Sequence, residues 1–277
     1  MNADLLQGAI DTHVHSSPDV IPRKLDDIEL VEQARAAGMR AVVLKCHHGC
    51  TCGRAFLLNR MFPDFRVFGS IVLNDTVGGF NCRAVESALR MGATQIWMPT
   101  KSAANHQEHL GGRGGFTIFN GAKLRDDVRT ILRQVAEADA ILATGHLSPE
   151  ESRVLIEEAR AAGVKRISVT HPEWGVTAMP VEVQRSLAVS GAVFFERCLV
   201  SIHPGSKASV SFDTIVEQIR AVGVDSTIAA TDYGMPHFAT PAEGLRDYAN
   251  RLLGSGFSLA EVRRMVRDNP ARLLRLN

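Results

Sequence analysis

No apolar run in the sequence reaches the roughly eighteen residues that a bilayer-spanning helix needs, so nothing in it is expected to enter a membrane. The first residues, MNADLLQGAIDTH, carry neither a basic leader nor an apolar stretch behind one. A secretory signal is therefore not expected, and the chain is expected to be cytoplasmic. Cysteine is scarce, five in 277 residues, and Cys46, Cys50 and Cys52 crowd into one short stretch. An odd number so arranged excludes a disulfide scaffold and fits a reducing compartment. Neither charge dominates: 31 Lys and Arg stand against 30 Asp and Glu with no block of one sign, which argues against nucleic acid as a partner. Linkers rich in Pro, Ser or Gly are also missing, so residues 1–277 read as a single domain.

What the chain does have is 45% hydrophobic residues, enough for a sizeable core, and ten histidines. Apolar runs alternate with amphipathic segments along its length. Ala9–His13, Ala41–Lys45, Arg66–Leu73, Gln95–Met98, Ile141–Thr144, Arg166–Thr170, Ala192–Phe195 and Thr227–Thr231 read as eight strands. Between them the helical period appears, for example with Leu25, Ile28, Val31 and Ala34 on one face and Gly38 as the stop. Ser148-Pro149-Glu150-Glu151 combines an N-cap, a first-turn proline and a capping-box glutamate. Strands apolar on both faces, each followed by a helix, predict a (β/α)8 TIM barrel at about 250 residues. A doubly wound open sheet is the architectural competitor. Thr100–Ala122, with its GGRGG, reads as a long irregular segment after the fourth strand and as a flexible cover for the site.

A barrel enzyme collects its chemistry from the C-terminal ends of several strands. Here those ends carry Asp11-Thr12-His13-Val14-His15, Thr144-Gly145-His146, Thr170-His171-Pro172 and Thr231-Asp232-Tyr233. His13 and His15 are two apart, so in an extended chain both imidazoles project to one side and can hold one ion together. Imidazole and carboxylate donors suit zinc, with manganese or iron as alternatives.

IDTHVHSSPD after the first strand, TGH and THP at the fifth and sixth, TD at the eighth and the closing DNPARLLRL together resemble the amidohydrolase superfamily of metal-dependent hydrolases. Among its branches, the VLKxHH, VGGxN and WMPTxSAxNH segments are most similar to uncharacterised amidohydrolase-like proteins. The resemblance implies one or two divalent ions: His13, His15 and Asp232 would bind the first, His146 and His171 the second. It also implies a bridging carboxylated lysine or glutamate, and two lysines compete for that place. Lys101 lies slightly beyond the expected point after the fourth strand. Lys45 directly follows the second apolar run, where burial and neighbouring cations lower an amine's pKa; it could equally meet an anionic substrate.

On this resemblance the expected reaction is hydrolysis of a small-molecule amide, cyclic amide or lactone by water that a metal activates at neutral pH. Asp232 would accept the proton and deliver it to the leaving group. Substrate contacts are expected from His47, Lys101, His106, Glu173, His203 and His237, with Asn74, Asn105, Trp174 and Arg197 near the same mouth. A non-oxidative decarboxylase using one ion is the main alternative, and a phosphoesterase or a non-catalytic metal-binding barrel are others. Cys46-His47-His48-Gly49-Cys50-Thr51-Cys52 could be half of a zinc knuckle, but no matching half follows. By analogy with other barrels, a homo-oligomer is expected.

Overall fold

The computed structural model describes residues 5–206 and 208–276. Its principal sheet has eight strands: β1 (Ile10–Val14), β2 (Ala41–Leu44), β3 (Arg66–Val72), β4 (Ala93–Trp97), β7 (Ile141–Ala143), β8 (Arg166–Thr170), β9 (Val193–Cys198) and β10 (Thr227–Ala230), each parallel to its neighbour. A parallel bridge between Val14 and Tyr233 and hydrogen bonds from Asp232 N to His13 O and from His15 N to Tyr233 O join the last strand's end to the first. Asp11 reinforces that seam, accepting from Thr231 Oγ1 at 2.5 Å and Thr231 N at 3.1 Å. Burial pushes the Asp11 carboxyl up to about 7 against those bonds. The result is a TIM barrel, as the alternation predicts; the open sheet is excluded.

Helices α1 (Asp27–Ala36), α2 (Cys52–Met61), α3 (Cys82–Arg90), α5 (Asp126–Glu137), α6 (Pro149–Ala161), α7 (Val181–Ala188), α8 (Phe212–Val222) and α9 (Pro241–Gly254) follow the strands. Several starts are fixed by reciprocal caps. Ser148 and Glu151 form the predicted capping box ahead of α6, and Asp26 with Glu29 and Thr240 with Glu243 do the same for α1 and α9. Leu30, Val31 and Ala34 of α1, and Ile131, Leu132 and Val135 of α5, turn inward onto the strands. At the N-terminal end the barrel interior is filled by Ile10, Val43, Phe68, Ile141, Phe194 and Ile228, and α10 (Asn269–Leu274) closes it with Leu273 and Leu274. Asn269 is the first residue of α10, and its amide donates to Val224 O and Thr227 O. The interior is therefore solid below and polar above.

Thr100–Ala122 is more ordered than expected. It contains α4 (Ala104–His109), and its end enters a small hairpin of β5 (Phe119–Asn120) and β6 (Lys123–Leu124). Backbone bonds from Ala104 N to Phe116 O and from Phe116 N to Ser102 O pin the glycine-rich turn at its base. Spacing alone does not reveal such long-range ties. Among the described residues, no helix is long and apolar enough to cross a membrane.

Candidate metal centre

The centre forms where β1, β8 and β10 end. Pairing of β1 with β2 shifts register between Asp11 and Val14, and the irregularity turns consecutive residues inward. Thr12 Oγ1 donates to Glu196 Oε1 at 2.5 Å, and His13 Nδ1 lies 3.0 Å from Glu196 Oε2. Glu196 is wholly buried on β9 and grips two neighbouring side chains at once. With its Nδ1 hydrogen given to a carboxylate, the His13 ring is fixed with Nε2 facing the mouth.

Asp232 is the focus. Its Oδ1 lies 2.9 Å from both His13 Nε2 and His15 Nε2, and its Oδ2 lies 3.2 Å from His171 Nε2. Asp232 and His171 both take left-handed backbone, φ 53° and 49°, a region that costs a non-glycine residue about 1–3 kcal/mol. The surroundings hold them there: Asp232 N donates to His13 O, His171 N donates to Glu196 O, and Thr177 Oγ1 donates to His171 O. Gly234 is required beside them. At φ +150° a Cβ on it would stand 2.2 Å from His15 O.

Burial pushes the Asp232 carboxyl up, but His13, His15 and His171 outweigh it and hold the group well below the usual carboxylate range. Burial likewise opposes a charged His13, yet Asp232 and Glu196 prevail over Lys45 and raise its pKa. At His15 burial wins and the pKa falls to about 3; burial lowers His171 as well. Lys45 Nζ sits 2.8 Å from His13 Nε2 and 4.3 Å from the centre of the Trp97 ring. Burial lowers this lysine's pKa, as its place directly after the second strand predicts.

His146 joins from the far side, its ring centre 5.6 Å from that of His171. Its Nδ1 shares a 2.9 Å hydrogen bond with His106 Nδ1, so His106 orients His146. Trp174 packs against all three rings at 5.1 to 5.8 Å and forms an apolar wall. His47 stacks on His15 at 4.9 Å. Asn74 ties the loops after β2 and β3 to that after β4: its amide donates to His47 O and Thr100 Oγ1, and its carbonyl accepts from Thr100 N at 2.8 Å.

The donor set fits a divalent ion. Ligand atoms of His13, His15 and Asp232 all lie within 4.8 Å of one another, and the other ring nitrogen of His13 is held by a buried carboxylate, the usual support of a metal-binding histidine. His13, His171 and Cys198 form an overlapping group. A third group at the rim, Asp19, Cys46 and His48, is occupied with itself: Asp19 already bonds Arg23, His48 Nδ1 and Val20 N.

Residues 8–195 match the profile of a family described only as a family of unknown function, DUF6282. The chain belongs to the DUF6282 family. A search of curated proteins gives no match. Solved structures similar to this DUF6282 protein include an amidohydrolase from Pseudomonas aeruginosa, 14% identical over 98% of this chain and 97% of the other, TM-score 0.69. Another is an amidohydrolase from Burkholderia multivorans with bound zinc, 14% identical over 97% and 99%, TM-score 0.64. A third, from work engineering organophosphate hydrolysis on a promiscuous lactonase template, is 14% identical over 98% and 97%, TM-score 0.63. The structural neighbours are thus enzymes of the amidohydrolase kind, and they share the fold of this DUF6282 chain.

Of the residues singled out from the sequence, the DUF6282 structure gathers His13, His15, Lys45, His47, His106, His146, His171 and Asp232 around one mouth. Lys101 is exposed on the turn after Thr100. Glu173 makes a buried ion pair with Arg197 at 3.0 Å, and Arg197 also reaches Gln184 and Gln218. His203 and His237 form a separate aromatic group with Phe238. Glu196 and Cys198 were not foreseen. A seventh strand read as ending at Phe195 stops one residue short of Glu196, whereas β9 runs on to Cys198.

Proposed function

We propose that the protein is a metal-dependent hydrolase of a small-molecule amide, cyclic amide or lactone. The observation that carries this reading is the single carboxylate, Asp232, shared by three strand-end histidines at 2.9, 2.9 and 3.2 Å. His13, His15 and Asp232 would hold the first ion. His146 and His171 would hold a second, and Lys45 would be the lysine of the centre. Zinc suits these donors best, and a zinc-bound amidohydrolase stands among the structural neighbours. The chemistry that such an ion supplies is Lewis-acid activation of water and of a carbonyl.

The chain's own groups do the rest. Asp232 accepts the proton of the attacking water and passes it to the leaving nitrogen or oxygen. His47 polarises the substrate carbonyl. The Thr100 hydroxyl accepts from Asn74 Nδ2 at 2.9 Å and would give its hydrogen to His47 Nδ1 at 2.9 Å, the shorter contact, rather than to Asn74 Oδ1 at 3.3 Å. The His47 proton then sits on Nε2 as a donor, and burial, with Lys45 adding to it, keeps the ring neutral by pushing its pKa well below the ordinary value. His106 fixes the tautomer of His146, and Trp174 excludes water. Glu173, paired with Arg197, shapes the wall next to Trp174, and His203 and His237 would meet the distal part of a substrate.

The same reading takes the protein as a cytoplasmic homo-oligomer, whose assembly would cover Phe56, Leu57 and Met61, exposed by 60, 60 and 54% on α2. The test is Asp232→Asn in the zinc-loaded enzyme against a panel of amides, cyclic amides and lactones. At saturating zinc the kcat should fall by roughly 100- to 10,000-fold. Near-wild-type turnover by the metal-saturated variant would remove Asp232 from the chemistry.

A further inference from the structure

We infer that the substrate carries a carboxylate remote from the bond that is cleaved, and that Lys101 receives it. The inference rests on the hydrolytic reading for the reaction, and on the arrangement of cations at the mouth for the binding. Among the described residues, Arg23 and Lys45 stand there and Lys101 stands on the turn beside it. Arg23 is spoken for: Nε and Nη2 reach Asp19 Oδ2 at 2.8 and 2.7 Å, and Nη2 also donates to His15 Nδ1 at 3.2 Å. Lys45 is buried against His13 and Trp97. Lys101 is exposed, and among the described residues no carboxylate, carbonyl or hydroxyl bonds its ammonium.

The backbone that presents Lys101 is held on every side. Asn74 Oδ1 accepts from Thr100 N at 2.8 Å and from Ser102 N at 3.2 Å, and Gln107 Nε2 donates to Lys101 O at 2.6 Å. Thr100, the residue before it, bonds the same His47 ring that stacks on His15. A solvated surface lysine needs no such clamp. Only the side chain is left free to move, and it is anchored beside the donor cluster. Although the residue is exposed at the surface, partial burial of its ammonium first, and then the Arg23 guanidinium, lower the Lys101 pKa, and an approaching anion offsets the second of these.

The charges at the mouth point the same way. Outside the metal centre, Arg23 and Lys101 stand against Asp19, which leaves one positive charge in excess among these groups, and a cleft of one sign concentrates ligands of the other. A carboxylate on Lys101, with the scissile group at His13, His15 and Asp232, uses both ends of that field.

The test uses the zinc-loaded full chain, titrated with succinate, glutarate and adipate, and with the alkanoates of equal carbon number, butyrate, valerate and hexanoate. The second carboxylate should tighten binding by about 10- to 100-fold for at least one chain length, the range of a charge-assisted bond. Lys101→Met should erase that preference with zinc content and Tm unchanged, and Lys101→Arg should restore part of it. No preference in the wild type, or a preference that survives Lys101→Met, overturns the proposal. A parallel panel of N-acetyl amino acids and their amides separates the two readings. If Lys101 binds dicarboxylates and nothing is hydrolysed, the hydrolytic reading falls and the anion site stands. If hydrolysis proceeds and Lys101→Met raises no KM, the anion site falls alone.

Discussion

Replacing Glu196 by Gln tests whether this buried carboxylate sets the metal affinity of His13. Glu196 accepts from Thr12 Oγ1 with one oxygen and faces His13 Nδ1 with the other, at 2.5 and 3.0 Å. A glutamine has one acceptor. If its carbonyl keeps Thr12, its NH2 faces His13 Nδ1 and drives the ring proton to Nε2, the nitrogen an ion needs. If it turns to His13 instead, Thr12 loses its acceptor and the support of His13 changes from a charged to a neutral acceptor. A hydrogen bond to a charged group is worth about 1.5–3 kcal/mol against about 1 for a neutral pair. The loss is then about 1–2 kcal/mol in the second case, a fall of roughly 5- to 30-fold in zinc affinity, and more in the first. Competition with a chromophoric chelator at neutral pH reads this directly, and circular dichroism confirms the fold. Zinc affinity within threefold of wild type would refute the argument.

Two further outcomes follow from the geometry. Gly234→Ala places a Cβ 2.2 Å from His15 O, against backbone that cannot yield, so Tm should drop by several degrees and zinc affinity should fall as His15 is displaced. The metal-free protein should lose stability as pH falls below 6.5, because burial lowers the pKa of His15 to about 3 and of His106 to about 4, and lowers His47, His146 and His171 too. The sign is set by proton uptake: between those values and the unfolded pKa of 6.5 only the unfolded chain binds the proton, so stability rises with pH there. From pH 6.5 to 5 each such imidazole contributes at most about 2 kcal/mol, opposed by His13, whose pKa is raised. Thermal denaturation should show Tm falling by about 10 °C over that range; a flat profile would mean the histidines are not held neutral.

The barrel was legible because its signals are local. Alternating apolar runs, the Ser148 capping box and the glycine stops each act within a few residues, and the strands and helices follow them. The metal-binding candidates were legible because strand-end position is a consequence of the fold, so His13, His15, His171 and Asp232 meet once the barrel closes. Glu196 was not, since only the full length of β9 and the register shift in β1 bring it under His13. Asn74 and His106 show the same limit. Each was visible as a polar residue in a loop, but the latch to Thr100 and the bond to His146 span 26 and 40 positions of chain, which no local pattern encodes.

The central claim is that His13, His15 and Asp232 form one metal site at the barrel mouth. Zinc titration of the metal-free protein and of the His13→Ala, His15→Ala double variant, each checked for fold by circular dichroism, tests it most directly. The account predicts tight binding to the wild type and loss of that ion in a double variant that remains folded, because the ligands lie above a core that Ile10, Phe68, Ile141 and Leu273 fill without them. A folded double variant that keeps the wild-type metal content would contradict it.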